Sequence, residues 1–127
     1  MKAFLVAAPH SGSGKTTVTL GLLRAFRDRG LKAVSAKAGP DYIDPAFHAA
    51  ATREDCVNLD PWAMRPGLLR SLSWRFLGAG DIAVVEAMMG LFDGAADGTG
   101  SAADLAAALR LPVVLVIDAS RMAPSVA

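Results

Sequence analysis

The stretch "KAFLVAAPHSGSGKTTVTLGLLRAFRDRG", residues 2–30, decides the fold. Residues 2–8 form a nearly continuous apolar run of strand length, which is typical of a buried parallel strand. A glycine-rich segment interrupts the run. From Lys15 to about Arg29 apolar residues recur at helical spacing, and Gly30 follows where a C-cap glycine is expected. The stretch therefore predicts a strand, a loop and a helix, in that order.

The loop itself, "SGSGKTT" at residues 11–17, has the composition of a phosphate-binding loop. The backbone N–H groups of such a loop, together with the start of the following helix, form a ready site for an anion. Gly12 and Gly14 permit backbone conformations and a close approach that a Cβ would block. Lys15 would reach the β- and γ-phosphates of ATP, and the Thr16 hydroxyl would complete the coordination of Mg²⁺. The predicted nucleotide-binding residues are Ser11, Gly12, Ser13, Gly14, Lys15, Thr16 and Thr17.

One position departs from the general phosphate-loop pattern. The pattern has glycine five residues before Gly14, where this chain has Pro9. Proline lacks an N–H group, but Pro9 stands at the strand exit, before the phosphate cradle begins. A glycine-rich turn without a ligand is the alternative, and the flanking strand and helix favour the phosphate site.

The rest of the chain alternates predicted strands and helices. Strands are predicted at 32–37, 82–85 and 113–117, and helices after Asp44-Pro45, within 65–77 and over 102–109. This alternation predicts an α/β fold with a mainly parallel sheet. The last strand has the composition of a buried strand. Because an open parallel sheet needs both faces covered, we expect the chain to be the front of a longer protein.

Three carboxylates are predicted at the ends of neighbouring strands. Glu86 ends the apolar run 82–85, and Asp41 and Asp44 lie in "AKAGPDYIDPAFH", residues 36–48. Ligands of open α/β sheets collect at the carboxyl ends of strands, and Mg²⁺ prefers oxygen ligands. The predicted catalytic residues are Lys15, Asp41, Asp44 and Glu86, and the predicted metal ligands are Thr16, Asp41 and Glu86. A structural alternative stays open, in which Asp44 caps the helix that follows it and Asp41 only favours a turn.

The composition and charge of the chain argue against some classes of binding partner. The chain has 127 residues and a formal net charge of +1, so no strong electric field favours nucleic acid or an anionic membrane. Its apolar runs are far shorter than the roughly 20 residues that a membrane-spanning helix needs. The single cysteine, Cys56, cannot form an internal disulfide, which fits a cytoplasmic location. We expect no nucleic acid and no membrane among the partners.

Four stretches resemble the N-terminal ATP-binding domain of the cobyrinic acid a,c-diamide synthase family, which includes hydrogenobyrinic acid enzymes. They are "APHSGSGKTTVTLGLLRAFRDRG", "KAGPDYIDPAFH", "NLDPWAM" and "VVEAMMGLFDG", in this order over nearly the whole chain. The resemblance implies a P-loop NTPase-like three-layer fold, similar to dethiobiotin synthetase, and an incomplete domain over 1–127. It also implies that a C-terminal glutamine amidotransferase domain is missing. The family has glycine after the strand glutamate, where this chain has Ala87.

The resemblance further implies an activity. It is the ATP-dependent amidation of the a and c acetate carboxylates of a corrinoid, through an acyl phosphate, in cobalamin biosynthesis. The implied cofactors are ATP and Mg²⁺, and the nitrogen comes from ammonia or from glutamine through the missing domain. Tyr42 and Asp93 are the candidate substrate residues, with loop packing as the alternative for Tyr42. A second copy of the chain is a further candidate partner, and residues 1–127 alone are expected to be inactive with glutamine.

Two other functions remain alternatives. A related carboxylate-phosphorylating enzyme, of the cobyric acid synthase or dethiobiotin synthetase type, would use the same loop. A partitioning-type switch ATPase belongs to a different class. Such proteins usually carry a lysine early in the phosphate loop, where this chain has Pro9, His10 and Ser11.

The remaining histidines, tryptophans and cysteine are predicted to have ordinary structural roles. His10 is expected at the surface, His48 is expected to be a surface or capping histidine, and Trp62 and Trp74 are expected in the core. Cys56 is expected to be an ordinary thiol, because no nucleophile-type glycine pattern surrounds it.

Overall fold

A computed structural model describes residues 2–123, in which a five-stranded parallel sheet lies between two layers of helices. The elements are β1 Lys2–Ala7, α1 Lys15–Asp28, β2 Ala33–Ala38, α2 Asp44–Thr52, β3 Cys56–Leu59, α3 Pro66–Leu77, β4 Ile82–Glu86, α4 Ala102–Leu109 and β5 Val113–Leu115. The predicted α/β class with a mainly parallel sheet is confirmed. None of the helices in the described range is long and apolar enough to cross a membrane.

The strand order brings three strand ends together beside the phosphate loop. The order is β3-β2-β4-β1-β5, so that β4 lies between β2 and β1. Glu86 at the end of β4 is in register with Val6 on one side and with Lys37 on the other. Because all the pairs are parallel, the carboxyl ends of these three strands meet at one edge of the sheet.

The two faces of β1 contribute to two different core layers. Leu5 and Ala7 point to the layer covered by α3 and α4, where they pack with residues such as Leu105. Val6 points to the opposite layer and packs with Leu23 of α1. This alternation is the period-2 pattern of a strand buried on both faces. The burial of both faces fixes the position and direction of β1, and therefore the place where the phosphate loop begins.

Two strands differ from the sequence predictions. β3 was not predicted, because its four residues "CVNL" are too short to give a periodic signal, and it pairs only with β2. β5 is shorter than predicted, Val113–Leu115 instead of 113–117. Val113, Val114 and Leu115 of β5 are 41–45% exposed, because within the described residues β5 is an edge strand paired only with β1.

The predicted core positions of the tryptophans are also wrong. Trp62 is 70% exposed in the turn after β3, and Trp74 is 82% exposed on α3. The buried core residues are instead mainly aliphatic side chains and alanines. Phe76 of α3 is the aromatic residue buried in the layer covered by α3 and α4. His10 is exposed, as predicted.

Candidate nucleotide site

The phosphate loop adopts a conformation that requires glycine at two positions. Gly12 and Gly14 have φ values of 83° and 90°, in the left-handed region that side chains other than glycine rarely adopt. A Cβ at either position would meet no atom within 4 Å. The backbone angle, and not crowding by the protein, therefore selects glycine here. The space in front of the loop stays open.

The start of α1 differs from that of a helix that is closed by its own side chains. α1 begins at Lys15 with no side-chain cap and no acidic residue in its first turn. At the start of α4, by contrast, the Ser101 hydroxyl accepts the N–H of Asp104, and the Asp104 carboxylate accepts the N–H of Ser101. The first N–H groups of a helix need acceptors and carry a partial positive charge. The open start of α1 is therefore suited to an anion.

Lys15 adds a full positive charge to this helix start. The residue is only 7% exposed, and it forms no ion pair with any residue in the range 2–123. Burial, and then the nearby ammonium of Lys37, lower the pKa of Lys15. Such a buried cation gains stability from an added negative charge. A phosphate group bound at the helix start would supply that charge.

Of the other predicted loop residues, Ser13 helps to hold the shape of the loop, whereas Ser11 and Thr17 are exposed. Ser13 is buried, and its hydroxyl donates to the His10 carbonyl at 3.1 Å, which holds the loop closed on itself. The Ser11 carbonyl lies 2.7 Å from Nδ1 of His10. Ser11 and Thr17 are exposed. Their side chains face solvent on either side of the helix start.

Thr16 connects the loop to the end of β4. Its hydroxyl oxygen lies 2.5 Å from Oε1 of Glu86 and 3.3 Å from Oδ2 of Asp44. The structure thus brings together three of the predicted site residues, from α1, α2 and β4. The sequence assigned Asp41 to the metal set, but Asp44 is the aspartate that contacts Thr16.

A lysine that the sequence analysis missed lies among the three carboxylates. Nζ of Lys37 is 2.6 Å from Oδ2 of Asp44, 3.1 Å from Oε1 of Glu86 and 3.6 Å from Oδ2 of Asp41. Burial alone would lower the pKa of Lys37, but its contacts with Asp44 and Glu86 outweigh burial and raise it. The cation that lets these acidic side chains lie close together is therefore a residue of the chain. A lysine inside the otherwise small and apolar strand "AVSAKA" was the available signal.

The two aspartates have different roles at the start of α2. Oδ1 of Asp41 accepts the backbone N–H groups of Ile43 at 2.8 Å and of Asp44 at 3.1 Å. These bonds lower the pKa of Asp41 although burial opposes them. Asp44 is the first residue of α2 and makes no capping bond. Asp41 thus forms the turn expected in the structural alternative, but Asp44 is not the cap of that alternative, because Asp41 supplies the acceptor and leaves the Asp44 carboxylate to Lys37.

His48 is buried, so the prediction that it lies at the surface is wrong. It is 0% exposed, and its Nε2 lies 2.5 Å from Oε2 of Glu86. Its other ring nitrogen lies 3.5 Å from the sulfur of Cys56. Burial alone would lower the pKa of His48, but the bonds to Cys56 and Glu86 raise it to about 9. The four-residue spacing from Asp44, one helical turn, could have placed both side chains on the face of α2 that points to the site.

Glu86 is held through both of its carboxylate oxygens. Oε1 contacts Thr16 and Lys37, and Oε2 contacts His48. Burial would raise the pKa of Glu86, but these partners outweigh it and lower the pKa. The fully buried carboxylate is therefore ionised, and its direction is fixed by residues from three elements.

The residues fit Mg²⁺ when phosphate completes its coordination. In the part of the chain that the structure describes, no group of three or more His, Cys, Asp and Glu side chains could hold a metal ion alone. The hydroxyl of Thr16 and the carboxylates of Asp44 and Glu86 offer hard oxygen ligands at the start of α1. Mg²⁺ is commonly bound by one or two carboxylates together with substrate phosphates. Thr16, Asp44 and Glu86 are the residues that would hold it.

A cavity of about 640 Å³ lies beside this site, at the carboxyl ends of β2, β3 and β4. We call it the Trp62 cavity, after the residue at the turn that follows β3. Asp93 contributes to its wall, and Oδ2 of Asp93 accepts the N–H of Gly90 at 2.7 Å. Tyr42 is 89% exposed and does not belong to the wall. Of the two candidate substrate residues, only Asp93 thus lies at the cavity.

The sequence matches one protein family over almost its whole length. Residues 4–126 match the family described as the CobQ/CobB/MinD/ParA nucleotide binding domain. The match includes the phosphate loop, Lys37, both aspartates, His48 and Glu86.

Three of the curated relatives carry the same name. The chain is 64% identical over 128 residues to a protein of Brucella suis biovar 1 (strain 1330) named hydrogenobyrinate a,c-diamide synthase. It is 62% identical over 127 residues to a protein of that name from Rhizobium meliloti (strain 1021), and each alignment covers 100% of the chain. A protein of that name from Agrobacterium fabrum (strain C58 / ATCC 33970) is 55% identical over 122 residues, or 94% of the chain. The chain spans 28–30% of the length of these relatives.

Proposed function

Because the chain belongs to the CobQ/CobB/MinD/ParA nucleotide binding domain family, we propose that it is the ATP-binding part of an enzyme that amidates corrinoid carboxylates. The reaction is the conversion of the a and c acetate groups of hydrogenobyrinic or cobyrinic acid into amides, in cobalamin biosynthesis. The name and high identity of the relatives support the substrate class. The observation that carries the proposal is the buried Lys15 at the uncapped start of α1, beside the cluster of Thr16 and Glu86.

The proposed chemistry explains why a nucleotide is needed. A carboxylate is a poor acylating agent, because its oxygen cannot leave as oxide. ATP supplies a phosphoryl group that converts the carboxylate into an acyl phosphate, and ammonia then displaces phosphate to leave the amide. Mg²⁺ neutralises phosphate charge when it is bound. The chain itself contributes positioning and charge stabilisation.

The residues of the site have separate roles in this proposed reaction. Lys15 and the N–H groups at the start of α1 bind the phosphates, and Lys37, through its ion pairs, holds the carboxylates of Asp44 and Glu86 in place. Thr16, Asp44 and Glu86 would hold the metal ion. His48 fixes the free oxygen of Glu86, and Asp41 fixes the start of α2 so that Asp44 faces the site.

The same proposal covers the nitrogen source, the partners and the location. Glutamine supplies ammonia through a further domain of the full-length protein, which is consistent with the greater length of the relatives. Asp93 and the more exposed Tyr42 are proposed to lie near the acceptor. A homodimer and a cytoplasmic location complete the proposal, the latter because the sequence has one cysteine.

ATP consumption by the full-length protein tests the proposal. Hydrogenobyrinic acid and cobyrinic acid are offered in parallel with Mg²⁺ and either glutamine or ammonia. We expect ADP release that depends on the acid, with products that mass spectrometry identifies as the mono- and diamides. Nucleotide-induced dimerisation without dependence on either acid would contradict the proposal and favour a switch ATPase.

A further inference from the structure

We propose that the Trp62 cavity binds the apolar edge of the acceptor macrocycle, while one carboxylate of the acceptor points out of the cavity toward Lys15 and the phosphate loop. This inference rests on the proposed function and adds a binding site and a binding mode to it. The cavity volume of about 640 Å³ lies in the range of small-molecule sites. A macrocycle inserts only part of its edge into such a volume.

The chemistry of the wall selects an apolar group. Trp62, Met88 and Met89 line the cavity together with alanines, glycines and prolines, and the described wall contains no Lys, Arg or His. One carboxylate oxygen of each of its two acidic residues accepts backbone N–H groups. Oδ1 of Asp60 accepts the N–H groups of Trp62 and Ala63 at 3.0 Å each, and Oδ2 of Asp93 accepts the N–H of Gly90. The wall thus offers no counter-charge for a carboxylate, but it offers a large surface for methyl groups and a ring edge.

The position of the cavity sets the orientation of the acceptor. Its wall continues from two strands that carry the charge cluster, since Gly39 follows Lys37 by two residues and Met88 follows Glu86 by two. A Cβ at Gly39 would lie 2.9 Å from Cε of Met88, so these two residues pack directly against each other. The cations are therefore on one side of the cavity only. An acid with an apolar body fits with its body in the cavity and one carboxylate toward the phosphate loop.

Two wall residues are poorly explained by folding alone. Trp62 leaves 70% of its surface exposed, and Met89, 47% exposed, has a φ of 56°. A tryptophan in solvent adds little to the core, and the left-handed region is uncommon for methionine. A Cβ at Gly100 would lie 2.7 Å from Cβ of Trp62, so the chain packs tightly behind this exposed ring. Exposure alone does not distinguish Trp62 from Trp74, but Trp62 lines the same cavity as Met89, and a ligand that covers both residues accounts for both features.

The test compares two exposed tryptophans in the full-length protein. Trp62→Ala removes the ring at the cavity, and Trp74→Ala is the matched control. Trp74 is 82% exposed and lines a different cavity, near Ala3 at the amino end of β1. We expect Trp62→Ala to raise the KM for hydrogenobyrinic acid at least about tenfold, as for a buried aromatic anchor. The KM for ATP should stay within about twofold for both variants, and Trp62→Phe should recover most of the acceptor affinity.

A salt titration and calorimetry complete the test. Because the contact with Trp62 is apolar, the ratio between the KM values of Trp62→Ala and the wild type for hydrogenobyrinic acid should change by less than about threefold between low and moderate ionic strength. Equal KM values for Trp62→Ala and Trp74→Ala, or a change of tenfold or more in the ratio between Trp62→Ala and the wild type with salt, would overturn the cavity assignment. If the wild type binds hydrogenobyrinic acid in calorimetry but does not amidate it, the proposed function fails. The cavity assignment is then judged by the binding constants of the two variants.

Discussion

The phosphate loop and the charge cluster lie side by side but are built in opposite ways. The loop is one contiguous segment, residues 11–17, whose shape follows from two glycines and a helix start. The charge cluster, by which we mean Lys37, Asp41, Asp44, His48 and Glu86, joins side chains as far as 49 positions apart. Strand register, not local sequence, brings its members together.

The two regions also differ in the electrostatic surroundings of their buried lysines. Lys15 is buried without an ion pair among the described residues, and its pKa is lowered. Lys37 is equally buried but is surrounded by carboxylates, and its pKa is raised. Lys15 is thus prepared for an anion from outside, whereas Lys37 is already neutralised and organises the site. The comparison predicts that loss of Lys15 affects catalysis, whereas loss of Lys37 affects folding as well.

Lys15→Ala in the full-length protein gives the largest expected effect. Loss of the phosphate-binding charge should reduce ATP-dependent amidation by about 10⁴-fold, or roughly 5 to 6 kcal/mol of transition-state stabilisation. The free energy of unfolding should change little, because no ion pair is broken. Lys32→Ala is the control, since Lys32 is exposed and its ammonium lies 3.6 Å from Glu54. Full amidation activity in Lys15→Ala would refute the phosphate-loop assignment.

The Lys37→Met variant tests the charge cluster, the second of the two regions compared. It leaves the carboxylate of Glu86, which is 0% exposed, without its buried ammonium partner, and should lower the free energy of unfolding by about 3 to 5 kcal/mol. Chemical denaturation measures this loss. In the double variant Lys37→Met/Glu86→Gln the buried negative charge is gone as well, so part of the stability should return. Strictly additive losses would show that the two residues do not depend on each other.

The same contrast explains what the sequence could predict. The strand, loop and helix of residues 2–30 were readable because each signal is local: an apolar run, glycines and a helical period. The position of Glu86 followed from the rule that strand ends meet at one edge. Lys37 and His48 were missed because their burial depends on which strand lies next to β2 and on which face of α2 packs inward. The exposure of Trp62 was missed since composition places tryptophan in the core, whereas here it lines a cavity.

A pH titration of stability addresses His48. Its pKa rises from 6.5 to about 9 on folding, so the folded state binds the proton more tightly. The stabilisation is fully present below about pH 6.5 and is lost as the pH rises through about 9, by roughly 1 to 3 kcal/mol in total. Unfolding free energies measured between these pH values should therefore fall. In His48→Gln, which cannot be protonated, the curve should be flatter over this range, and an equal slope in both proteins would contradict the role of His48.

Substitutions of Asp41 and Asp44 have the smallest expected effects, and they compare two carboxylates only three positions apart. Asp41→Ala removes the acceptor for the N–H groups of Ile43 and Asp44, which should cost about 1 kcal/mol of stability. Asp41→Asn keeps that oxygen and should stay within about 0.5 kcal/mol of the wild type. Asp44→Asn should mainly slow phosphoryl transfer, because its carboxylate faces Thr16 and Lys37 and makes no cap.

Thermal unfolding and single-turnover kinetics of the full-length protein separate these roles of the two aspartates. If Asp44→Asn lost stability in proportion to rate, its carboxylate would be a structural partner of Lys37 only. If Asp41→Ala unfolded like the wild type but lost phosphoryl transfer, Asp41 would belong to the metal set, as the sequence assigned it. The expected pattern, stability from Asp41 and rate from Asp44, follows from the different partners of two carboxylates three positions apart, the backbone of the turn for Asp41 and Thr16 with Lys37 for Asp44. Local sequence alone, which places both next to a proline, does not contain that difference.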